Sequence, residues 1–238
     1  MKQLLFLSSM LLLTACGSNN NDNPAPVAPP APPPEVTNAG FEVSIVNLTA
    51  AQPLSPVTVF IHNVELQLFA IGESASAELE VLAEAGDNSQ LLDSVDASAE
   101  ASGSAPLGPG ASESLSLELD GDDTSGLRLT LLTMLVNTND AFTGINAVDI
   151  SALEVGQSMT LNGRSYDAGT EANTEAADSI PGPAGGGEGF NAVRDDIADQ
   201  VTGHGGAVTL DDGLSGSALN HTHRWDNPVA QFRITRTQ

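Results

Sequence analysis

From residue 41 onward, apolar and polar positions mostly alternate with a period of two. Phe41, Val43 and Ile45 alternate with Glu42, Ser44 and Val46; Leu115, Leu117 and Leu119 with Ser114, Ser116 and Glu118; Ala230, Phe232 and Ile234 with Gln231, Arg233 and Thr235. Successive side chains of a strand point to opposite faces, so each run predicts a strand with one face buried. Residues 57–61 and 127–136 are more continuously apolar, the pattern of strands covered on both faces in the middle of a core. Residues 74–86 differ: Ala75, Leu79, Leu82 and Ala83 fall on one helical face, with Ser74 as N-cap and Gly86 as C-terminal stop. The pattern predicts a mainly β chain, an antiparallel β-sandwich with one or two short helices at its edge or end.

Two stretches fit neither period. Residues 94–112 and 172–206 are long connections rich in Gly, Ala, Ser and Pro, and the second contains Pro181-Gly182-Pro183-Ala184-Gly185-Gly186-Gly187. Connections of that length in a compact domain are usually functional or disordered. The second is read here as a mobile wall of a binding surface. No repeat of the length found in solenoids or propellers interrupts residues 41–238, so one domain is expected there.

The N-terminus has a different character. Lys2 precedes a mostly apolar run through Leu13, followed by Thr14-Ala15-Cys16-Gly17. This is the layout of a secretory signal, and it is shorter than the roughly 20 apolar residues needed to span a bilayer. Leu13-Thr14-Ala15-Cys16 resembles a bacterial lipobox, which makes residues 1–15 a lipoprotein signal peptide and Cys16 the lipid attachment site; an ordinary signal with an incidental cysteine is the alternative. Cys16 is the sole cysteine, so no internal disulfide can form in spite of an export address that would permit one. Residues 16–40 then run through an Asn-rich segment into Pro24, Pro26, Pro29, Pro30 and Pro32–Pro34, a disordered tether favouring an extended polyproline II spacer of about 3.1 Å per residue. By the same resemblance, Gly17 rather than Asp after the lipidated residue implies the outer membrane of the bacterial cell envelope, with the domain periplasmic or surface-exposed.

Charge narrows the partners. Seven Lys and Arg stand against 31 Asp and Glu, a net charge of −24 that becomes one unit more negative once Lys2 leaves with the signal. Such a field argues against nucleic acid and against direct attraction to anionic membranes, leaving the lipid as the membrane contact. It also predicts self-repulsion that salt screens and bound cations relieve.

Two acidic strings carry the candidate chemistry: Thr138-Asn139-Asp140-Ala141-Phe142-Thr143-Gly144, and Tyr166-Asp167-Ala168-Gly169-Thr170-Glu171-Ala172-Asn173. Carboxylates on short Gly- and Asn-marked turns can converge on Ca²⁺, which takes several oxygen ligands at about 2.3–2.6 Å in irregular geometry. They are read as one metal site, with solvated turn residues as the alternative for each carboxylate alone.

The two strings, with Phe41-Glu42-Val43-Ser44-Ile45-Val46-Asn47-Leu48-Thr49 before them and Trp225-Asp226-Asn227-Pro228-Val229-Ala230 after, resemble the spondin N-terminal domain family of F-spondin and mindin, across roughly residues 41–238. The resemblance implies a C2-like sandwich with a cation among the loops at one end. It also implies that Asp140, Asp167 and Glu171 hold calcium, with Glu171 standing where animal members commonly have Asp. Asn139, Asp149 and Glu175 are weaker candidates, expected to shape turns.

The function these readings favour is a non-enzymatic, lipid-anchored extracytoplasmic calcium-binding module that adheres to a protein, glycan or matrix. Two other readings stay open. The first is a metal-dependent hydrolase of envelope or matrix polymers, for which His221-Thr222-His223 on a strand and His204 would supply nitrogens to Zn²⁺. Surface or capping roles for these histidines are the alternative, and no H-E-x-x-H motif accompanies them. Gly213-Leu214-Ser215-Gly216-Ser217 misses the nucleophile elbow at its last position, and no catalytic residue is assigned. The second is a purely structural envelope lipoprotein. His62 and Trp225 are expected to be packing residues.

Overall fold

The computed structural model describes residues 37–193 and 198–238. The signal peptide, Cys16 and the tether as far as residue 36 lie outside the described residues. The strands are β1 (Gly40–Asn47), β2 (Thr58–His62), β3 (Ala99–Ser102), β4 (Ser112–Glu118), β5 (Arg128–Met134), β6 (Ala141–Asp149), β7 (Ser158–Asp167), β8 (Thr202–Gly203) and β9 (Ala230–Arg236). Of these, β1, β2, β4, β5 and β9 are the alternating and continuous apolar runs expected from the sequence, whereas β6 and β7 take in parts of the acidic strings expected as turns. All pairings are antiparallel, and the strands make one sheet in the order β3-β2-β5-β6-β7-β9-β1-β4, with β8 added beside β7. The sheet is nearly closed.

Two halves meet in β7. Its first six residues, Ser158 to Gly163, pair with β9, whereas Arg164 to Asp167 pair with β6. Gly163 sits at the handover, where a Cβ would come within 2.6 Å of both the Phe232 ring and Thr143 Oγ1. A side chain there would push the two halves apart.

The main core lies between these halves, built from Phe41, Val43 and Ile45 of β1, Val59 and Ile61 of β2, Leu115 and Leu117 of β4, Leu129 and Leu131 of β5, and Phe232 and Ile234 of β9. A second cluster covers the opposite face of β2, β5 and β6. There Phe60, Leu132 and Phe142 pack against Leu79, Leu82 and Ala83 of helix α1 (Ala77–Ala85) and Leu91 of helix α2 (Ser89–Ser94). Burial on both faces explains why β2 and β5 read as continuous apolar runs rather than alternating ones.

The expected helix forms, with one correction at its start. Ser76, not Ser74, is the N-cap, accepting from the Leu79 N–H, while Ser74 donates its hydroxyl to the Asp199 carbonyl at 3.0 Å. Gly86 ends the helix in the left-handed region at φ 68°, as expected. The first long connection follows directly on α2 and contains β3, and the second contains β8. These elements are too short, and β3 (Ala-Glu-Ala-Ser) too weakly apolar, to stand out by period. Among the described residues no helix is long and apolar enough to cross a membrane.

Candidate metal site

The β5–β6 connection and the C-terminal end of β7 lie side by side, because Ala141 pairs with Asp167 across the ladder. That register brings the two acidic strings together. The first string is mostly strand: Thr138, Asn139 and Asp140 complete a tight turn, and β6 starts at Ala141. Thr138 closes the turn, its Oγ1 donating to the Leu135 carbonyl at 2.6 Å and accepting from the Ala141 N–H at 3.1 Å.

Asn137, Asn139 and Asp140 of this turn tie it to the surrounding loops. Asn137 donates from Nδ2 to the Ala51 carbonyl and accepts at Oδ1 from Ala184 N–H, both at 2.9 Å. Asn139 spreads its amide N–H groups over Glu171 Oε1, Thr174 Oγ1 and Ser179 Oγ, and its Oδ1 accepts from Glu175 N–H at 3.2 Å. Asp140 Oδ2 accepts from the N–H groups of Thr170 at 2.9 Å and Glu171 at 3.1 Å. The Gly- and Pro-rich segment expected as a mobile wall is therefore pinned to the turn at Ser179 and Ala184, and Ile180 is fully buried.

The second string folds back on itself after β7. Asp167 Oδ1 accepts from Gly169 N–H at 2.9 Å, an Asx turn, and the chain leaves it through a positive φ of 76° at Gly169. A Cβ at Gly169 would also stand 2.4 Å from the Gln200 carbonyl oxygen, so the chain passes too closely there for any other residue.

Asp140, Asp167 and Glu171 are thus neighbours with unequal surroundings. Asp140 is fully buried and Glu171 nearly so, while Asp167 is half-buried. The Asp140 carboxyl is pushed up to about 7, first by burial and next by the Asp167 carboxylate; Glu171 adds to the rise, and the two backbone N–H bonds oppose it. Asp140 Oδ1 and Thr170 Oγ1 are buried and have no hydrogen-bond partner among the described residues. Buried acceptors are ordinarily paired, so an unpaired buried carboxyl oxygen on a group that also feels the charges of Asp167 and Glu171 is an expensive arrangement that a cation would relieve.

The donors are all hard oxygens, which suits calcium or magnesium rather than zinc. Among the described residues no three Asp, Glu, His or Cys side chains stand together in metal-holding geometry. The carboxylates are adjacent but not closed into a shell.

The other candidates separate clearly. Asp149 is exposed, accepts from Ser151 N–H and pairs with Arg128 at 2.6 Å, a solvated turn residue away from the site. Glu175 is buried, with a positive φ of 57°; burial raises its carboxyl and the Val208 N–H opposes the rise. His62 is a core residue, with Nδ1 on the Asn63 carbonyl and Nε2 on Thr130 Oγ1.

The His221-Thr222-His223 segment is a 3-10 helix rather than a strand. His221 pairs with Asp211, and His223 Nδ1 accepts from Asn220 N–H as part of the helix cap. His204 is buried against Trp225, the ring centroids 5.2 Å apart, and Trp225 packs on the main core as expected. The contacts that sequence reasoning missed are those of Asn173 and His204. Asn173 donates to Asp167 Oδ2 at 2.6 Å, and His204 Nε2 lies 3.2 Å from Asn173 Oδ1. Asn173 closes the second string, but nothing in its spacing pairs it with a histidine 31 residues away.

Residues 48–180 match the Spondin_N family model, more than half of the chain and all of both acidic strings. The chain belongs to the Spondin_N family. Spondin_N is a family of non-catalytic extracellular domains, and membership in it suggests an extracellular adhesion-type module. The matched stretch takes in Asp140, Asp167 and Glu171, whereas His204 and Trp225 lie beyond it. No curated protein matches the chain.

Proposed function

We propose that this Spondin_N module binds calcium through Asp140, Asp167 and Glu171 and adheres, in the calcium-loaded form, to a protein, glycan or matrix outside the cell. A lipid on Cys16 holds it at the bacterial envelope, in the outer membrane. The observation that carries the calcium reading is Asp140: a fully buried carboxyl with one oxygen unpartnered, beside two more carboxylates. Bound there, calcium supplies positive charge and oxygen coordination. The chain's own part is to hold the donors: Asn139 restrains Glu171, Asp140 restrains the Thr170–Glu171 backbone, and the Gly169 turn aims Asp167. A module whose loops are tied to one another through this site has an adhesive surface whose order depends on the cation.

The test is calorimetry and adhesion on the same variants. Calcium is expected to bind with micromolar to millimolar affinity, in the range of extracellular sites. Asp140→Ala, Asp167→Ala and Glu171→Ala each lose most of that affinity, and chelation abolishes adhesion to matrix or cell-surface material until calcium is returned. Unchanged binding in all three variants defeats the assignment. Stoichiometric zinc with histidine-dependent hydrolysis would replace it with the hydrolase reading.

A further inference from the structure

Behind Asp167 runs a chain of hydrogen bonds with a single direction. Gly206 N–H donates to His204 Nδ1 at 3.0 Å, so that nitrogen is an acceptor and carries no proton. The ring proton therefore sits on Nε2, which faces Asn173 Oδ1 at 3.2 Å. With its oxygen taken by an N–H donor, the Asn173 amide presents Nδ2 to Asp167 Oδ2 at 2.6 Å. Reversing the amide would set its NH₂ against the imidazole N–H and its oxygen against a carboxylate, so the polarity of the whole chain follows from one backbone N–H.

The imidazole is also held sterically. It is 8 % exposed and packs on Trp225, whose Nε1 donates to Ser165 Oγ at 3.0 Å; His204 N–H itself donates to the Ser165 carbonyl. Asp167, only half-buried and at the end of a strand, has no comparable packing of its own. Its other oxygen is occupied by Gly169 N–H.

We infer that Asn173 and His204 are positioning residues for the cation site: the neutral His204 Nε2–H locks the Asn173 amide, and the amide fixes the direction in which Asp167 offers its oxygens to calcium. This rests on the calcium reading above. Hydrogen-bond partners of metal ligands commonly change affinity by about 10–100-fold when removed. His204 thus serves the site without being a metal ligand, since Nδ1 is taken by Gly206 and Nε2 by Asn173.

The experiment uses the purified full-length chain in two arms. In the metal-free arm, ¹⁵N NMR of the imidazole at neutral pH is expected to show the Nε2–H tautomer with a slowly exchanging proton, and Asn173→Ala speeds that exchange. An Nδ1–H tautomer, or exchange unaffected by Asn173→Ala, overturns the chain whatever calcium does. In the calcium arm, calorimetry is expected to give Asn173→Ala a loss of about tenfold or more. His204→Ala gives a smaller loss, and His204→Gln, which keeps a donor for Asn173 Oδ1, stays nearer the unsubstituted affinity.

The double variant Asn173→Ala/His204→Ala is expected to bind no more weakly than Asn173→Ala alone, because His204 acts only through Asn173. A merely structural role for His204 would add its cost in both backgrounds, and that additivity overturns the inference, as does unchanged affinity in Asn173→Ala. If the unsubstituted chain binds no calcium, the proposed function itself fails. That outcome is distinct from calcium binding that ignores both variants.

Discussion

The backbone N–H of Glu171 donates to Asp140 Oδ2 at 3.1 Å. One acid of the site therefore builds the loop that carries another, and the two roles of Asp140 can be pulled apart. Its oxygen acceptors organise residues 170 and 171, while its charge opposes Asp167 and Glu171 until a cation arrives.

Asp140→Asn keeps an acceptor for the Thr170 and Glu171 N–H groups but removes the charge. Calcium affinity is expected to fall at least as far as in Asp140→Ala, while the metal-free protein at pH 8 melts higher than the unsubstituted protein. Calorimetry and thermal melting on the same preparation check both halves. A lower melting temperature in Asp140→Asn would mean that the charge is not what strains the metal-free site.

The raised Asp140 carboxyl fixes the sign of a pH dependence. Its pKa is raised from an ordinary 3.8 to about 7 in the fold, so between these limits the folded state binds more of this proton than the unfolded state. Stability from this group is therefore highest below about pH 4 and is lost as pH rises through about 7, a change on the order of 4 kcal/mol at most. Calcium, which competes with that proton, should bind more tightly as pH rises towards 7 and then level off. Melting curves from pH 5 to 8, with and without calcium, are expected to diverge as pH increases; a constant gap contradicts the assignment.

Saturation gives a thermodynamic check. At 100 times its dissociation constant, calcium is expected to stabilise the folded domain by about 2.7 kcal/mol if the unfolded chain does not bind it. A chain with net charge −24 is also stabilised by plain screening, so the control is monovalent salt of equal ionic strength. An equal melting shift in both solutions would point to screening alone.

Gly169→Ala tests the turn that aims Asp167. The substitution places a side chain at φ 76° and against the Gln200 carbonyl oxygen, so the 167–171 turn must open. A loss of about 1–3 kcal/mol in stability is expected, together with a loss of calcium affinity. Gly186→Ala also has a positive φ, of 72°, but open space around it, and is expected to lower stability without a comparable change in calcium binding.

Cys16→Ser tests the anchor. It is expected to abolish lipid labelling and to release the exported protein from the membrane fraction. Membrane association that survives complete loss of the lipid would indicate a partner held by the folded domain.

By itself the sequence determined the strand class, most strand positions, the helix with its Gly86 stop, and the neighbourhood of Asp140, Asp167 and Glu171. Alternation, continuous apolar runs and local turn residues are short-range signals. Each reports on the faces of one element, and the two acidic strings were legible as whole words. Both Ser74 and Ser76 precede the helix as possible caps, and only the direction of the Leu79 N–H chooses Ser76. Tertiary structure alone decided how β7 divides its pairing between β6 and β9, since the same backbone can pair on either edge and the choice depends on distant strands. It also decided that the first string is buried, that Asn137, Asn139 and Asp140 bind the surrounding loops, and that His204 stands behind Asp167 by way of Asn173. Apart from the Asn173–Asp167 bond, these contacts join residues 30 or more positions apart through single hydrogen bonds, which leave no period and no spacing in the chain.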